Sequence, residues 1–285
     1  MYELRTHAAR STLAAGLHLE VSRQTIMRLE EGLPTKVTTP QLKSLLDFYE
    51  ADAETRAEAL MLWGEIKEQD KTAKAQGNSK GYWQAYADQV ASHFPRYLRL
   101  EGAANRVTSH QLVLVPGLLQ TADYRRAIAK IDAPELSAVN TERRVELAAR
   151  RQARLDDADF QMNALVSEAV LRHQPGSPAV MAAQLRWLAE AGERDNIRIR
   201  VIPFRVGPHR GLNIQSFTLL EFPRGSSGLT VPPVVYLEGA VGALYHERED
   251  VIDRYREAIS ELRAVALSEQ DTRDMVLEIA EEYAA

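Results

Sequence analysis

Residues 70–81 read as an almost unbroken polar run, with Lys71, Lys74, Gln76, Gly77, Asn78, Ser79 and Lys80 and nothing more apolar than two alanines. Such a run has little to bury and is rich in backbone breakers, so the segments on its two sides must build separate cores. Helical spacing precedes it, and a mixture of alternating and helical spacing follows. The length of 285 residues agrees, because a typical domain has roughly 100–200 residues. The organisation predicted is an all-α unit over residues 1–70, a linker over 71–80 and an α+β domain over 81–285.

Upstream of the run, apolar residues recur at helical spacing only in short stretches. Ser22 is placed to cap a helix whose Ile26 and Leu29 share one face, and Gly32 with Pro34 ends it. Pro40 suits the first turn of the next helix, in which Leu42, Leu45, Leu46 and Tyr49 repeat. A further helix is expected from Glu54 to about Lys71, with Ala57, Leu60, Leu62 and Trp63 available for burial.

Downstream, the period changes. A short strand is expected within residues 107–115, before the break at Pro116-Gly117, and then a helix carrying Tyr124 to Lys130. Phe160, Met162, Ala164 and Val166 alternate with polar residues, as do Ile197, Ile199 and Val201, and Phe217 and Leu219; these read as strands. A helix around Leu185 and Leu188 separates them, Val234 to Leu237 offers one more strand, and helical spacing fills 251–283 with a break near Ser268. Residues 141–155 alternate Arg and Glu, and read as a solvated helix whose Arg143, Arg144, Arg150, Arg151 and Arg154 take partners such as Glu142, Glu146 and Asp156.

The formal charge of −5 argues against a protein that coats nucleic acid or membrane non-specifically, since that binding runs on excess Lys and Arg. It leaves a small sequence-reading module open, because only one face of one domain meets a duplex. Without any cysteine there is no disulfide framework, thiolate zinc site or Cys nucleophile. The N-terminus lacks the layout of a signal peptide and no stretch approaches the ~18 apolar residues of a membrane span, so a cytoplasmic protein without membrane contact is expected. Catalytic patterns fail too. His246-Glu247 has no second His at helical spacing, Gly225-Ser226-Ser227-Gly228 lacks a nucleophile elbow, and Glu168, His173 and Glu238 stand isolated in sequence. No enzyme is expected, and no cofactor or metal is called for.

The densest chemistry lies between Leu4 and Gly32. Two short helices joined at Glu20-Val21 are implied, the second opening on Ser22. When such a pair docks on DNA, the second helix lies in the major groove while its apolar face grips the first. Arg23, Gln24, Thr25 and Arg28 then face base edges, Arg suiting guanine and Gln suiting adenine. Ser22, Thr12, Arg5, Arg10, Lys36, Thr38 and Lys43 are the candidates for phosphate contact, which positions without reading. The segment from Val21 to Gly32 resembles the recognition-helix segment of the Xre (Cro/C1-type) helix-turn-helix family. It departs from that pattern at Glu20, where the family prefers a small residue or glycine, and at Gly16, where it prefers alanine; a glycine inside a helix costs about 1 kcal/mol relative to Ala.

A second resemblance covers most of the rest. Leu100-Glu101-Gly102-Ala103-Ala104, the block from Leu114-Val115-Pro116-Gly117 to Asp123-Tyr124, Arg150-Arg151-Gln152, Val201-Ile202-Pro203-Phe204 and residues 217–222 are similar to an actinobacterial C-terminal domain of unknown function. That domain follows an Xre-type headpiece in WhiJ-like and Scr1-type regulators. The resemblance implies a transcriptional regulator of development or secondary metabolism, often working with a small partner protein encoded nearby. The expectation is therefore a helix-turn-helix headpiece that reads double-stranded DNA as a homodimer, on palindromic or repeated half-sites. Its α+β domain would answer to an unknown small-molecule effector or that partner protein. The alternative is an antitoxin-like protein whose main role is binding a small partner. The Pro116 to Thr121 block reads as a turn with buried leucines rather than a pocket wall, and Gly207-Pro208-His209-Arg210-Gly211 as a connecting loop.

Overall fold

The computed structural model describes residues 1–30, 32, 35–75, 82–225 and 230–284. Two compact units result, Met1–Tyr82 with Arg224–Thr230, and Trp83–Pro223 with Val231–Ala285. Arg224 and Thr230, which group with the first unit, face each other in an isolated antiparallel bridge.

The first unit contains helices α1 (Tyr2–His7), α2 (Thr12–His18), α3 (Arg23–Glu30), α4 (Thr39–Phe48) and α5 (Ala53–Ala75). Its core is one cluster: Ala15 and Leu19 from α2 and its end, Ile26 and Leu29 from α3, Leu42, Leu45 and Leu46 from α4, and Trp63 from α5. α4 starts with a full capping box, in which the Thr38 hydroxyl and the Gln41 side chain each bond the other residue's backbone N–H. Helix α5 runs on through residues 71–75, the first half of the expected linker. Lys71-Thr72-Ala73-Lys74-Ala75 contains no breaker, and Lys and Ala are good helix formers. The remaining linker positions, 76–80, lie outside the described residues.

The second unit begins inside a 3₁₀ segment, Tyr82–Gln89, and continues with α6 (Phe94–Ala103), β1 (Arg106–Gln111), α7 (Ala122–Asp132), α8 (Ala138–Gln152), β2 (Gln161–Ser167), α9 (Glu168–Arg172), α10 (Pro178–Ala191) and β3 (Ile197–Ile202). There follow α11 (Gly211–Ile214), β4 (Phe217–Glu221), β5 (Val234–Gly239), β6 (Gly242–His246), α12 (Glu249–Val265) and α13 (Glu269–Glu282). The strands make one six-stranded mixed sheet in the order β3-β2-β1-β4-β5-β6. β1, β2 and β3 are parallel neighbours, and the rest pair antiparallel. Parallel neighbours need long crossovers. Here α7 and α8 connect β1 to β2, and α9 and α10 connect β2 to β3.

Both faces of the sheet are covered, which explains runs such as Ala164-Leu165-Val166, buried at every position. On one face Val107, Met162, Val166 and Ile199 pack with Tyr124 of α7, Leu185 of α10 and Ile279 of α13. On the other, Leu165, Phe217 and Leu219 meet Ile252, Ile259 and Leu262 of α12. Among the described residues no helix is long and apolar enough to cross a membrane.

Candidate functional site

In the first unit, Ser11 caps α2 by accepting from the Ala14 N–H at 3.0 Å. The chain then turns through Glu20, held at φ 56°, and the Val21 N–H donates to the Gly16 carbonyl at 2.9 Å. A Cβ on Gly16 would lie 2.9 Å from the Val21 carbonyl oxygen. The glycine that seemed a weakness of α2 is thus what allows so tight a turn. Ser22 accepts from the Thr25 N–H at 3.1 Å and opens α3.

Ile26 and Leu29 are buried, while Arg23, Gln24 and Arg28 are exposed. Thr25 is half-buried, with its hydroxyl 3.0 Å from that of Ser22. Met27, 44% exposed, stands on the outer face beside the polar residues and was not among the base-contacting candidates. The signal for it was available: positions 23, 24, 27 and 28 form one stripe at helical spacing.

The phosphate candidates divide. Lys36 and Lys43 are exposed, and neither has an ion-pair partner among the described residues. Arg10 is exposed, 3.6 Å from Glu50, with its guanidinium over the Phe48 ring. Thr12 is half-buried in the first turn of α2, and Thr38 is exposed but caps α4. Arg5 must be withdrawn. It is buried, donates through Nε and Nη2 to both carboxylate oxygens of Glu30 at 2.6 and 3.0 Å, and gives a third bond to the Arg10 carbonyl. That two-pronged pair clamps the end of α3 to α1, and it holds the Arg5 guanidinium above its ordinary pKa.

In the second unit, three motif blocks far apart in sequence come together. Arg151 of α8 and Glu101 of α6 form a buried ion pair with bonds of 2.7 and 2.8 Å. The guanidinium lies against the rings of Phe94 and Tyr97, and Gly117 leaves room for it, since a Cβ there would come 3.3 Å from Arg151 Nη2. Side-chain amides hold the loop between β1 and α7. Gln120 donates to the Val115 carbonyl at 2.7 Å, and Gln152 donates to the Gln120 carbonyl. Gln184 accepts from the Thr121 N–H and donates to the Leu119 carbonyl, both at 2.7 Å. The hydroxyl of fully buried Tyr124 accepts from the Val115 N–H.

This region matches the family described as domain of unknown function DUF5753, over residues 94–278. The chain belongs to that family. No curated protein and no solved structure matches the chain.

Two clefts flank the sheet of the DUF5753 domain. One, about 690 Å³, opens beside the face that carries Val107, Ser109, Met162 and Thr218, and is bordered by Tyr97, Gln120, Arg125, Arg144 and Tyr236. Val115, Pro116, Gly117 and Leu118 belong to its wall, so the block read as a plain turn also shapes a cavity. The other, about 640 Å³, lies past the end of the α12 contact and gathers Arg106, Arg198, Arg200, Arg256 and Arg263 around Glu221 and Asn163. Crowding there shows at Arg263, whose pKa is lowered by burial and then by Arg106, Arg200 and Arg198.

The charged helix α8 behaves largely as expected of a paired face, though its partners differ. Arg150 meets Glu146, Arg143 meets Asp88, Arg144 meets Asp132, and Arg154 donates to the carbonyls of Gly102 and Ala104. Glu142 and Asp156 serve Arg126 and Arg194 instead. Glu168, His173 and Glu238 do not converge. Glu168 accepts from Arg172 and the Phe204 N–H, His173 lies by the Val113 carbonyl, and Glu238 lies 3.4 Å from His93.

Proposed function

We propose that this chain is a sequence-specific DNA-binding transcriptional regulator in which α2 and α3 act as an Xre-type helix-turn-helix and the DUF5753 domain controls them. The observation that carries the reading is the outer face of α3, where Arg23, Gln24, Met27 and Arg28 stand exposed on a helix whose Ile26 and Leu29 are locked into the core. A guanidinium and a carboxamide in the first turn are the groups that bond guanine and adenine edges, and the exposed Met27 offers apolar contact to a thymine methyl. Lys36 and Lys43 supply phosphate contacts that fix the register. One such helix reads only a few base pairs, so the working form is a cytoplasmic homodimer on half-sites one helical turn or a multiple apart.

Control follows if occupation of the DUF5753 domain favours one spacing of the paired headpieces over another, which requires different affinity for the two arrangements. The test is binding of the full-length protein to its own upstream DNA, against scrambled DNA and over a salt series. Wild type should prefer the native site, and the double variant Arg23→Ala, Gln24→Ala should lose that preference while keeping the salt-dependent background. Equal, weak binding of both proteins to both DNAs would overturn the reading and favour a partner-binding, antitoxin-like role.

A further inference from the structure

The cleft behind the β1–α7 loop contains a guanidinium that has no direct carboxylate partner among the described residues. Arg125, on α7, reaches into it and donates through Nη1 to Gln120 Oε1 at 3.1 Å. That amide is its one hydrogen-bond partner among the described residues, and no carboxylate lies within ion-pair distance of it. The neighbouring cations are different, because Arg151 is neutralised by Glu101 and Arg144 by Asp132. Arg125 is half-buried, and its remaining surface faces the cleft. Burial, with Arg151 and Arg144 close by, outweighs the more weakly acting Glu238 and Asp132 and pushes its pKa down to about 10.

Gln120 cannot relieve it further. Its NH₂ is committed to the Val115 carbonyl, so only its carbonyl oxygen is available, and a neutral amide supplies no charge. Taking a guanidinium out of water is costly unless an anion and further hydrogen bonds compensate. An apolar stretch lies beside it, where Tyr97 stands 4.3 Å from Tyr236, ring centroid to centroid, with Leu118, Ile128 and Met162, while Ser109, Gln111, Thr218 and Glu238 make the rest of the wall polar. A cleft near 690 Å³ falls in the roughly 300–1,000 Å³ range of small-molecule sites, which are mostly apolar with a few fixed polar groups.

We propose that this cleft binds a small organic monoanion, one carboxylate on an apolar body, with the carboxylate anchored on Arg125 and the body against Tyr97, Leu118 and Tyr236. A guanidinium with open N–H groups matches a carboxylate in a two-pronged pair. A single negative charge fits because one guanidinium has no carboxylate paired with it directly, and because Glu238 in the same wall, which acts on Arg125 only through space, repels a second charge. Binding is a property of the DUF5753 domain by itself. Only its role as an effector rests on the reading of the chain as a DNA-binding regulator.

The test uses the full-length protein without DNA, so its outcome is independent of whether α3 reads sequence. The probes are 4-phenylbutyrate, indole-3-acetate and decanoate, each beside its primary amide, followed by calorimetric titration and by thermal melting. At least one acid should bind and raise the melting temperature, with its amide at least about tenfold weaker. Arg125→Gln should lose at least about tenfold in affinity for that acid. Without ligand it should melt no lower than wild type, because it loses a guanidinium with no direct carboxylate partner rather than half of an ion pair. Arg256→Gln, in the opposite cleft, should bind as wild type does. Arg125→Lys keeps the charge without the fork, and should bind more weakly while still preferring acid to amide. It decides the matter if Arg125→Gln does not fold. The proposal is overturned if acid and amide bind alike, if the Arg125 variants bind as wild type does, or if no acid binds up to about 10 mM.

Discussion

The two units place arginine in opposite ways. In the helical unit Arg23 and Arg28 stand on the outer face of α3, and only Arg5 is buried, where Glu30 receives it from two directions. In the DUF5753 domain three arginines turn inward: Arg151 is buried on Glu101, Arg154 grips two carbonyls, and Arg125 points into a cleft with an amide as its partner. The outward arginines should therefore be replaceable with little change in stability, and removing half of the inward Arg151–Glu101 pair should not. What decides is whether water or protein supplies the second half of each hydrogen bond.

The sharpest way to break this comparison is Glu101→Ala. It leaves the Arg151 guanidinium buried and unpaired, and should destabilise by about 3–5 kcal/mol, read by chemical denaturation. Arg23→Ala with Gln24→Ala should stay within about 0.5 kcal/mol of wild type, as exposed substitutions do. If the two costs are equal, the inward and outward classes are not physically distinct. Next in size is Gly16→Ala, which pushes a methyl onto the Val21 carbonyl and should cost about 1–3 kcal/mol, seen in the melting of the helical unit. A smaller effect of opposite sign is expected from Glu20→Gly, which relieves a side chain from the left-handed region and should stabilise by about 0.5–1 kcal/mol.

The weakest effect concerns acidity. His110 on β1 is fully buried, 3.1 Å from the Leu165 carbonyl and near His209, and burial lowers its pKa below the ordinary 6.5. Between the lowered folded value and 6.5 the unfolded chain takes a proton that the folded one refuses, so stability falls as pH drops through that window and is complete above it. The melting temperature of the DUF5753 domain should decline below neutrality, and His110→Gln should flatten the decline.

Much of this was legible in the sequence. The strands at Gln161–Ser167, Ile197–Ile202, Phe217–Glu221 and Val234–Gly239 sit where alternation or an apolar run placed them, and the break near Ser268 separates α12 from α13. Local periodicity carries such elements. β6 was missed, because an edge strand of Gly242-Ala243-Leu244-Tyr245-His246 is half-exposed and takes its order from pairing with β5. α6 was missed although Pro95 in its first turn and the spacing of Leu98 and Glu101 announce it. Arg5 was misplaced for another reason: an arginine near the N-terminus looks exposed until the fold brings Glu30 beside it. The cleft of the DUF5753 domain was the least legible, since Tyr97, Gln120, Arg125 and Tyr236 meet only through the sheet order. Their motif blocks were visible as strings, and their convergence was not.

The loop from Leu112 to Thr121, which walls that cleft, is tied down by Gln120, Gln152, Gln184, Tyr124 and Ser216. These amides and hydroxyls keep their protons near neutral pH, and none of their bonds is an ion pair that dissolved salts can screen, while a histidine, His173, stands at the Val113 carbonyl of the same loop. The entrance to the cleft should hold its shape as ionic strength changes. What varies with salt is then the attraction of Arg125 for an anion, and not the width of the opening that leads to it.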